Sequence, residues 1–280
     1  MLPYITLPDF KIGPIPIHWF GILVVIGIYV GSILARWRAK KIGMNLDVLE
    51  SFITWMLVSG FVCSHVLDSI FYHPQEVLRR PWSLIFIWEG LSSYGGFIGA
   101  LIGVLLWKRY RGQGQSIFAM CDLILSVFPV AWIFGRMGCS VVHDHPGRLV
   151  EQATWFTVAY PDGPRYDLGL LEMFVAVGIS LVCMSLWRFK TRTGTYVALT
   201  ALLYAPIRFY LDFFRVQDQA GADPRYFHFT PAQWACVALF GFGVVVAILV
   251  ATGKAPTFVP PPAKAAAAAP TAAKRQTRKG

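Results

Sequence analysis

Seven apolar stretches restrict the fold of this chain more than any other feature, because each approaches the roughly 20 residues that a helix needs to cross a bilayer. They lie near residues 17–37, 50–72, 91–107, 116–138, 168–187, 194–215 and 231–252. Over the whole chain 56% of the residues are hydrophobic and 14% are charged, a balance too apolar for a soluble domain. The sequence therefore predicts an all-α polytopic membrane protein with about seven transmembrane helices.

The basic residues predict the orientation of these helices. Sixteen of the 25 Lys and Arg residues lie in four segments that follow the first, third, fifth and seventh stretches, namely 36–41, 108–111, 188–192 and the tail after 253. Basic connections tend to stay in the cytoplasm, so we expect an outside N-terminus and a cytoplasmic C-terminus. The net charge of +10 follows this membrane pattern, and no nucleic acid is expected as a partner.

Composition divides the chain into two parts. Residues 1–253 are predicted to form the transmembrane domain, in which residues 139–167, with Pro, Gly, Asp and aromatic residues, form a small outward-facing cap. Residues 254–280, rich in Ala, Pro and Lys, lack an apolar face and are predicted to be a disordered cytoplasmic tail. The five cysteines form no CxxC pair, which argues against a disulfide framework and a structural zinc site.

The sixth apolar stretch carries a polar stripe. Tyr204, Arg208 and Asp212 are spaced four residues apart and fall on one face of a helix. A charge at the centre of a membrane helix costs about 2.5–3.5 kcal/mol, so such residues pair with one another or line a cavity. One interpretation is an Arg208–Asp212 ion pair that fixes helix packing; the other is a binding site.

The fourth stretch ends in the densest ionisable cluster of the chain, formed by Arg136, His143, Asp144 and His145. If Arg136 meets Arg208, the two provide planar, permanently charged donors that suit a phosphate. The alternative for Arg136 is an interfacial side chain that reaches toward water. Two histidines at i and i+2 without a third ligand nearby make a poor metal site, so no metal is expected.

Two further features concern backbone and burial. Gly95, Gly99 and Gly103 recur every four residues, which indicates close helix packing. In contrast, Tyr94-Gly95-Gly96 stands at a helix start, where free amides can approach a ligand oxygen. Asp122 precedes Arg136 by 14 residues, about 21 Å along a helix, so its partner must lie elsewhere.

Several short motifs occur together in a specific order. They are IHWFG at 17–21, WEG at 88–90, SYGGFIG at 93–99, GRMG at 135–138 with Asp144 and Gly147, Glu172, and RFYLDFFR at 208–215. In these motifs and in its helix order, the chain resembles the bacterial prolipoprotein diacylglyceryl transferases over roughly residues 15–250.

The resemblance implies a function. Such an enzyme transfers the diacylglyceryl group of phosphatidylglycerol to the lipobox cysteine thiol of a preprolipoprotein. We therefore expect the chain in the bacterial inner (plasma) membrane, with its N-terminus in the periplasm. It uses no metal or soluble cofactor, and its partners are phosphatidylglycerol, the lipobox segment and membrane lipids. Arg136 and Arg208 match family arginines required for activity. The other positions assigned to substrate binding by the motifs are Tyr204, Gly95, Gly96, Gly147, Asp122 and Asp212.

The chain departs from the family's usual residues at several positions. The family commonly has His where Tyr94 stands, and other departures are Phe20, His65, Cys139, Asp144 and Asp212. Since a neutral phenol is a poor base, we expect Tyr94 to donate a hydrogen bond to the lipid headgroup.

We therefore expect the base among the residues after the fourth stretch. The hypothesis is that His143 or His145, with Asp144 between them, takes the role of the base. The alternative is that both histidines stabilise the cap. A catalytically degenerate paralogue that binds phospholipid or lipoprotein precursor is a rival function. A transporter or channel is disfavoured, because a pore should show polar residues recurring along several helices. In this chain they cluster toward the outer ends of the third, fourth and sixth apolar stretches.

Overall fold

The computed structural model describes residues 1–8, 10–12, 15–86, 90–112, 114–216 and 225–256. The helices are α1 (Trp19–Ile42), α2 (Leu46–Tyr72), α3 (Pro74–Arg79), α4 (Ser93–Tyr110), α5 (Ile117–Val142), α6 (Leu168–Ser185), α7 (Thr195–Leu211) and α8 (Pro231–Ala251). The strands are β1 (Phe10–Ile12), β2 (Ile15–Ile17), β3 (Pro146–Leu149), β4 (Thr157–Tyr160) and β5 (Gly163–Asp167). Most of the predicted tail and Trp88-Glu89 of the WEG motif lie outside the described residues.

Among the described residues, six helices are long and apolar enough to cross a membrane. They are α1, α2, α5, α6 with the 3-10 turn Leu186–Arg188, α7 with the 3-10 turn Asp212–Phe214, and α8. An all-α polytopic membrane protein is thereby confirmed in its coarse form. The predicted third span corresponds to α4, which has 18 residues, carries Lys108 and Arg109 in its last turn, and is not among the six.

Helix α5 lies at the centre and packs against α1, α6 and α7, while α8 packs against α7 and α4 against α2. The α2–α4 contact depends on glycine. A Cβ on Gly95 would lie 2.7 Å from the Cys63 carbonyl oxygen, and one on Gly99 would collide with the Ser59 carbonyl and Cys63. Gly103 approaches Trp55 and Ser59 in the same way. This is the close helix packing that the four-residue spacing indicates.

One end of the bundle, here called the basic end, collects the C-termini of α1, α6 and α8 and the N-terminus of α7. The Arg38 guanidinium donates to the Tyr196 hydroxyl at 3.2 Å, and Arg192 donates to the Val250 carbonyl at 3.0 Å. Beside them lies the main apolar core, whose buried residues include Ala39, Leu49, Phe52, Trp107, Met120 and Leu123. The predicted basic connections around residues 36–41 and 188–192 therefore meet at one end.

The opposite end, here called the cap end, carries an antiparallel sheet in the order β3-β5-β4. Helix α5 runs to Val142, beyond the predicted limit at 138, and stops where His143 adopts a left-handed conformation with φ 51°. Buried Arg165 stabilises the sheet, because it donates to the Gly147 carbonyl at 2.9 Å and pairs with Asp162. The N-terminal segment joins the sheet through Leu2, whose amide donates to the Thr157 carbonyl at 2.7 Å.

Candidate active site

Glu172, in the first turns of α6, connects the two arginines singled out in the sequence. Its side chain is 3% exposed. Arg136 Nη2 of α5 lies 2.9 Å from Glu172 Oε2, and Arg208 Nε of α7 lies 3.3 Å from Oε1. The Tyr204 hydroxyl donates to Oε2 at 3.1 Å. One buried carboxylate thus holds both guanidinium groups at the cap end.

Asp212 provides the second carboxylate of this cluster. Arg208 Nη1 lies 2.8 Å from Asp212 Oδ1, one helical turn away, and Thr230 Oγ1 donates to Asp212 Oδ2. Asp212 is completely buried. Thr230 also forms a capping box with Gln233 at the start of α8, so the cluster is tied to the end of that helix. The predicted Arg208–Asp212 ion pair is therefore present, and it belongs to a larger network.

The network contains two cations and two anions, so its formal charges balance. The side chains of Arg136 and Arg208 are 15% and 13% exposed, which leaves a small part of each accessible. Arg136 Nε is buried and has no hydrogen-bond partner in the part of the chain that the structure describes. The guanidinium carbon of Arg136 lies 4.8 Å from the centroid of the Trp132 ring, within the range of a cation–π contact. An unpaired buried donor of this kind is available to an anionic oxygen.

Asp122 lies at the basic end, apart from this network. Its Oδ1 accepts from the backbone amides of Tyr196 at 2.8 Å and Val197 at 3.1 Å, so it caps the N-terminus of α7. The sequence predicts that Asp122 lies too far along α5 from Arg136 to pair with it, and these two amides are the separate partner. Asp122 thus lies apart from Arg136 and Arg208, and the substrate-binding role implied by the resemblance stays a prediction.

His143 is built into the cap. Its Nδ1 lies 2.8 Å from Asp167 Oδ2, its Nε2 lies 3.1 Å from the Ile5 carbonyl oxygen, and its ring stacks on Tyr4 at 4.0 Å. Asp167 also accepts from the Tyr160 hydroxyl at 3.0 Å. Burial and the neighbouring Asp167 carboxylate raise the pKa of Tyr160 well above its usual range, so its hydroxyl remains a donor. This placement matches the alternative interpretation of His143 as a residue that stabilises the cap.

Asp144 and His145 lie near Cys139, which contacts Arg136. Cys139, in the last turn of α5, has its sulfur 4.0 Å from Arg136 Nη1. Donor atoms of Cys139, Asp144 and His145 all lie within 4.8 Å of one another. Sulfur, carboxylate oxygen and imidazole nitrogen are the ligands that Zn²⁺ takes in proteins. Within the described residues, these three form the group that could hold a metal ion.

The remaining residues assigned to substrate binding, Tyr94 and three glycines, lie at exposed or tightly packed positions. Tyr94 is 56% exposed in the first turn of α4, and Gly95 faces α2. A Cβ on Gly96 would meet only Ser64, at 3.9 Å or more, so its outer side is open. Gly147 packs against Tyr166 and the Phe214 carbonyl, where a Cβ would lie 2.7 Å from that oxygen. The assignment of Gly95, Gly96, Gly147 and Tyr94 to substrate binding stays a prediction.

The residue that sequence reasoning left out of the site is Glu172. Its signals are its place among the family motifs and its position as a single carboxylate in the otherwise apolar stretch LGLLEMFVAVGISLV, which demands a partner. Cys139 was noted as a departure from the family but given no role. Its proximity to Asp144 and His145 depends on the left-handed turn at His143, which residue spacing does not reveal.

Comparison with known proteins gives consistent matches. The family model described as "Prolipoprotein diacylglyceryl transferase" matches residues 9–249. Proteins named phosphatidylglycerol–prolipoprotein diacylglyceryl transferase are similar to this chain. The one from Legionella pneumophila (strain Lens) is 30% identical, over 77% of this chain and 86% of its own length. Those from Janthinobacterium sp. (strain Marseille) and Aromatoleum aromaticum are 26% and 25% identical, over 89% and 84% of this chain and 98% and 91% of their own lengths.

Proposed function

Since the chain belongs to the prolipoprotein diacylglyceryl transferase family, we propose that it transfers the diacylglyceryl group of phosphatidylglycerol to the lipobox cysteine of preprolipoproteins. The single observation that carries the chemistry is the convergence of Arg136 and Arg208 on Glu172. Two guanidinium groups from different helices, each in contact with one oxygen of the same carboxylate, form a site that suits a phosphodiester.

The phosphate binds where Glu172 now bridges the arginines. Arg136 Nε is an unused donor, and each guanidinium retains part of its surface for an incoming oxygen. Glu172 and Asp212 keep the two arginines at a fixed separation before the lipid arrives. Binding of the headgroup then exchanges a carboxylate partner for a phosphate oxygen at guanidinium groups that are already in place.

In the reaction, the acceptor thiolate attacks the glycerol carbon that bears the phosphate. The carbon–sulfur bond forms, the carbon–oxygen bond to phosphate breaks, and the glycerol phosphate departs with the extra negative charge. Arg136 and Arg208 stabilise that charge as it develops. A placed donor at such a position typically contributes about 100- to 1000-fold in rate.

The two ends of the bundle support a proposed orientation in the membrane. We place the cap end at the periplasmic face of the bacterial inner membrane and the basic end in the cytoplasm, with α4 as a seventh span. The support for α4 is its close packing on α2 from Gly95 to Gly103. At about 27 Å, its 18 residues approach the thickness of the hydrocarbon core. The lipobox segment then reaches the site from the periplasmic side.

The direct test is an assay of the purified full-length protein with phosphatidylglycerol vesicles and a lipobox peptide. We expect the peptide to gain the mass of one diacylglyceryl group as a thioether. A peptide with Ser in place of Cys and vesicles of phosphatidylethanolamine are the matched controls. A protein that binds both substrates but yields no thioether would contradict the proposal.

A catalytically degenerate paralogue is the second candidate, and Tyr94 is the observation that favours it, because this position commonly holds His in the family. Complementation of a transferase-depleted bacterial strain separates the two functions. Growth with the wild-type chain, and no growth with an Arg208→Lys variant present at equal abundance, would exclude the degenerate paralogue.

A further inference from the structure

We propose that residues 226–229, here called the aromatic turn, insert into the lipid–water interface at the cap end and set the depth of the arginine network in the membrane. The turn comes directly before α8, and its tip projects from the protein. Phe227 at the tip is 84% exposed, and Tyr226 is 58% exposed. The positioning part of this proposal rests on the proposed transferase function, whereas the insertion itself does not.

The backbone of the aromatic turn is one that its residues rarely adopt. The Tyr226 amide donates to the Phe229 carbonyl at 2.7 Å, and the Phe229 amide donates to the Tyr226 carbonyl at 3.1 Å. The two residues between them, Phe227 and His228, have φ of 51° and 71°. A two-residue turn of this kind favours Asn-Gly, because a bulky side chain at positive φ is sterically disfavoured. A phenylalanine held there against its backbone preference indicates a use for its ring at the surface.

The surface of α8 next to the turn indicates that the partner is lipid. Trp234, Val237, Val245 and Ile248 fall on one face of this helix and are between 42% and 56% exposed. Since α8 is long and apolar enough to cross a membrane, this face meets acyl chains. Trp234 stands at its cap end, where the indole N–H donates to the Tyr226 carbonyl at 2.9 Å. The aromatic turn therefore continues the lipid-facing surface to the end of the span.

The composition of the turn suits the depth of the headgroups. Tyr and Trp rings collect at membrane–water interfaces, because one part of each ring is apolar and the other forms hydrogen bonds. Arg225 is exposed beside the turn and donates to the His228 carbonyl at 3.3 Å. A basic side chain at this level is attracted to anionic lipid headgroups. In contrast, Trp155 is 75% exposed on the cap between β3 and β4, away from the end of a spanning helix.

A chain of contacts connects the aromatic turn to the arginines. The Phe229 ring packs on Phe209 of α7 with the ring centroids 5.2 Å apart. The next residue, Thr230, donates to Asp212, which pairs with Arg208. When the turn rests among the headgroups, these contacts hold Arg208 near the level of the phosphates. The turn is thus a positioning element that acts through Thr230 and Asp212.

Depth-dependent fluorescence quenching tests the insertion without any transfer reaction. The full-length chain carries Phe227→Cys, labelled with an environment-sensitive dye, together with Cys63→Ser and Cys121→Ser, which remove the two cysteines that are not buried. It is placed in phosphatidylglycerol vesicles that contain lipids spin-labelled at the headgroup or along the acyl chain. We expect strong quenching by labels at the headgroup and the upper acyl chain, and much weaker quenching at a Trp155→Cys control.

Two results of this experiment would overturn the proposal. One is equally weak quenching at the two positions, which would place the aromatic turn in water. The other is a loss of quenching on addition of a lipobox peptide, because the acceptor segment and not the lipid would then cover the turn.

A double substitution separates the Phe227 ring from the backbone that carries it. Phe227→Asn with His228→Gly gives the turn its favoured sequence, so the melting temperature in detergent should equal or exceed that of the wild type. Transfer from phosphatidylglycerol vesicles should nevertheless fall about tenfold, because the network is no longer held at its depth. Phe227→Trp with His228→Gly should restore transfer, and Trp155→Ser, which removes another exposed ring, should leave it unchanged. Full transfer by the Asn-Gly variant would overturn the positioning role.

Monomeric lipid distinguishes positioning in the membrane from packing within the protein. With short-chain phosphatidylglycerol in detergent solution, the substrate has no bilayer depth to match, so the Asn-Gly variant and the wild type should transfer at the same rate. A tenfold loss in the variant with monomeric lipid too would overturn the positioning role. A wild-type chain whose turn is inserted but which forms no thioether with either lipid would instead refute the proposed function and leave the insertion intact.

Discussion

Helix α7 lies between two buried carboxylates that are neutralised in different ways. At its N-terminus, Asp122 accepts from the backbone amides of Tyr196 and Val197. Near its C-terminus, Glu172 pairs with the side chains of Arg136 and Arg208. Backbone amides belong to the helix and cannot exchange partners without unfolding it, whereas guanidinium groups can exchange a carboxylate for a phosphate. The first arrangement fixes a helix, and the second is suited to binding.

Among the variants that test this difference between the two ends of α7, Arg208→Lys should have the largest effect on diacylglyceryl transfer. The variant keeps the positive charge but loses the planar fork that contacts Glu172 and Asp212 together. We expect diacylglyceryl transfer to fall about 100-fold or more, measured as the initial rate of thioether formation. Arg192→Lys, next to the other end of α7, is the matched control and should retain its rate. Equal rates in the two variants would remove the distinction between the ends.

Glu172→Gln should have a smaller effect on the same reaction. The amide still accepts one hydrogen bond but carries no charge to hold two guanidinium groups, so their spacing relaxes. We expect transfer to fall about 10- to 100-fold. Glu50→Gln, which removes an exposed carboxylate 3.0 Å from Arg36, should leave transfer unchanged. Thermal unfolding of both variants in detergent distinguishes a damaged site from a damaged fold.

Asp122→Ala should affect stability and not transfer. Loss of the cap on α7 should lower the free energy of unfolding by about 1–2 kcal/mol, seen as a lower melting temperature. Asp122→Asn keeps an acceptor oxygen and should be close to wild type. Transfer per folded molecule should be unchanged in both. Loss of transfer in a well-folded Asp122→Ala protein would instead support the substrate-binding role implied by the family motif.

Asp162→Asn should have the smallest effect on stability, because Asp162, in contrast to Asp122 and Glu172, is exposed to water. Its carboxylate pairs with Arg165 at 2.5 Å but is exposed to water. The Arg165 guanidinium holds the pKa of Asp162 below its usual 3.8. The pair therefore stabilises the fold above pH 3.8, and this contribution is lost as the pH falls through the lower folded-state pKa. A slight drop in melting temperature at neutral pH that disappears in acid is expected; a drop that persists in acid would contradict it.

Much of the fold could be predicted because apolar length and glycine spacing act locally. The positions of α1, α2, α5, α6, α7 and α8 follow from runs of apolar residues. The glycines of α4 predicted a close neighbour, although not that the neighbour is α2. The end of α5 was placed four residues too early, because it is set by the backbone conformation of His143 and not by the apolar run that continues to Val142.

The site was predictable only where side chains of one helix face the same way. The spacing of Tyr204, Arg208 and Asp212 placed them together. The contact between Arg136 and Arg208 through Glu172 joins three helices, so no single stretch of sequence contains it. Asp122 shows the opposite case: its binding role, implied by the family motif, stays a prediction, and the structure places its carboxylate at the N-terminus of α7.

The balanced charges around Arg208 also bear on turnover. Phosphate released from the lipid has to leave before a second lipid binds, and two bare arginines would retain it. On the proposed function, Glu172 and Asp212 would compete with the departing glycerol phosphate for the same guanidinium groups. Such competition would favour release of the product and so speed turnover.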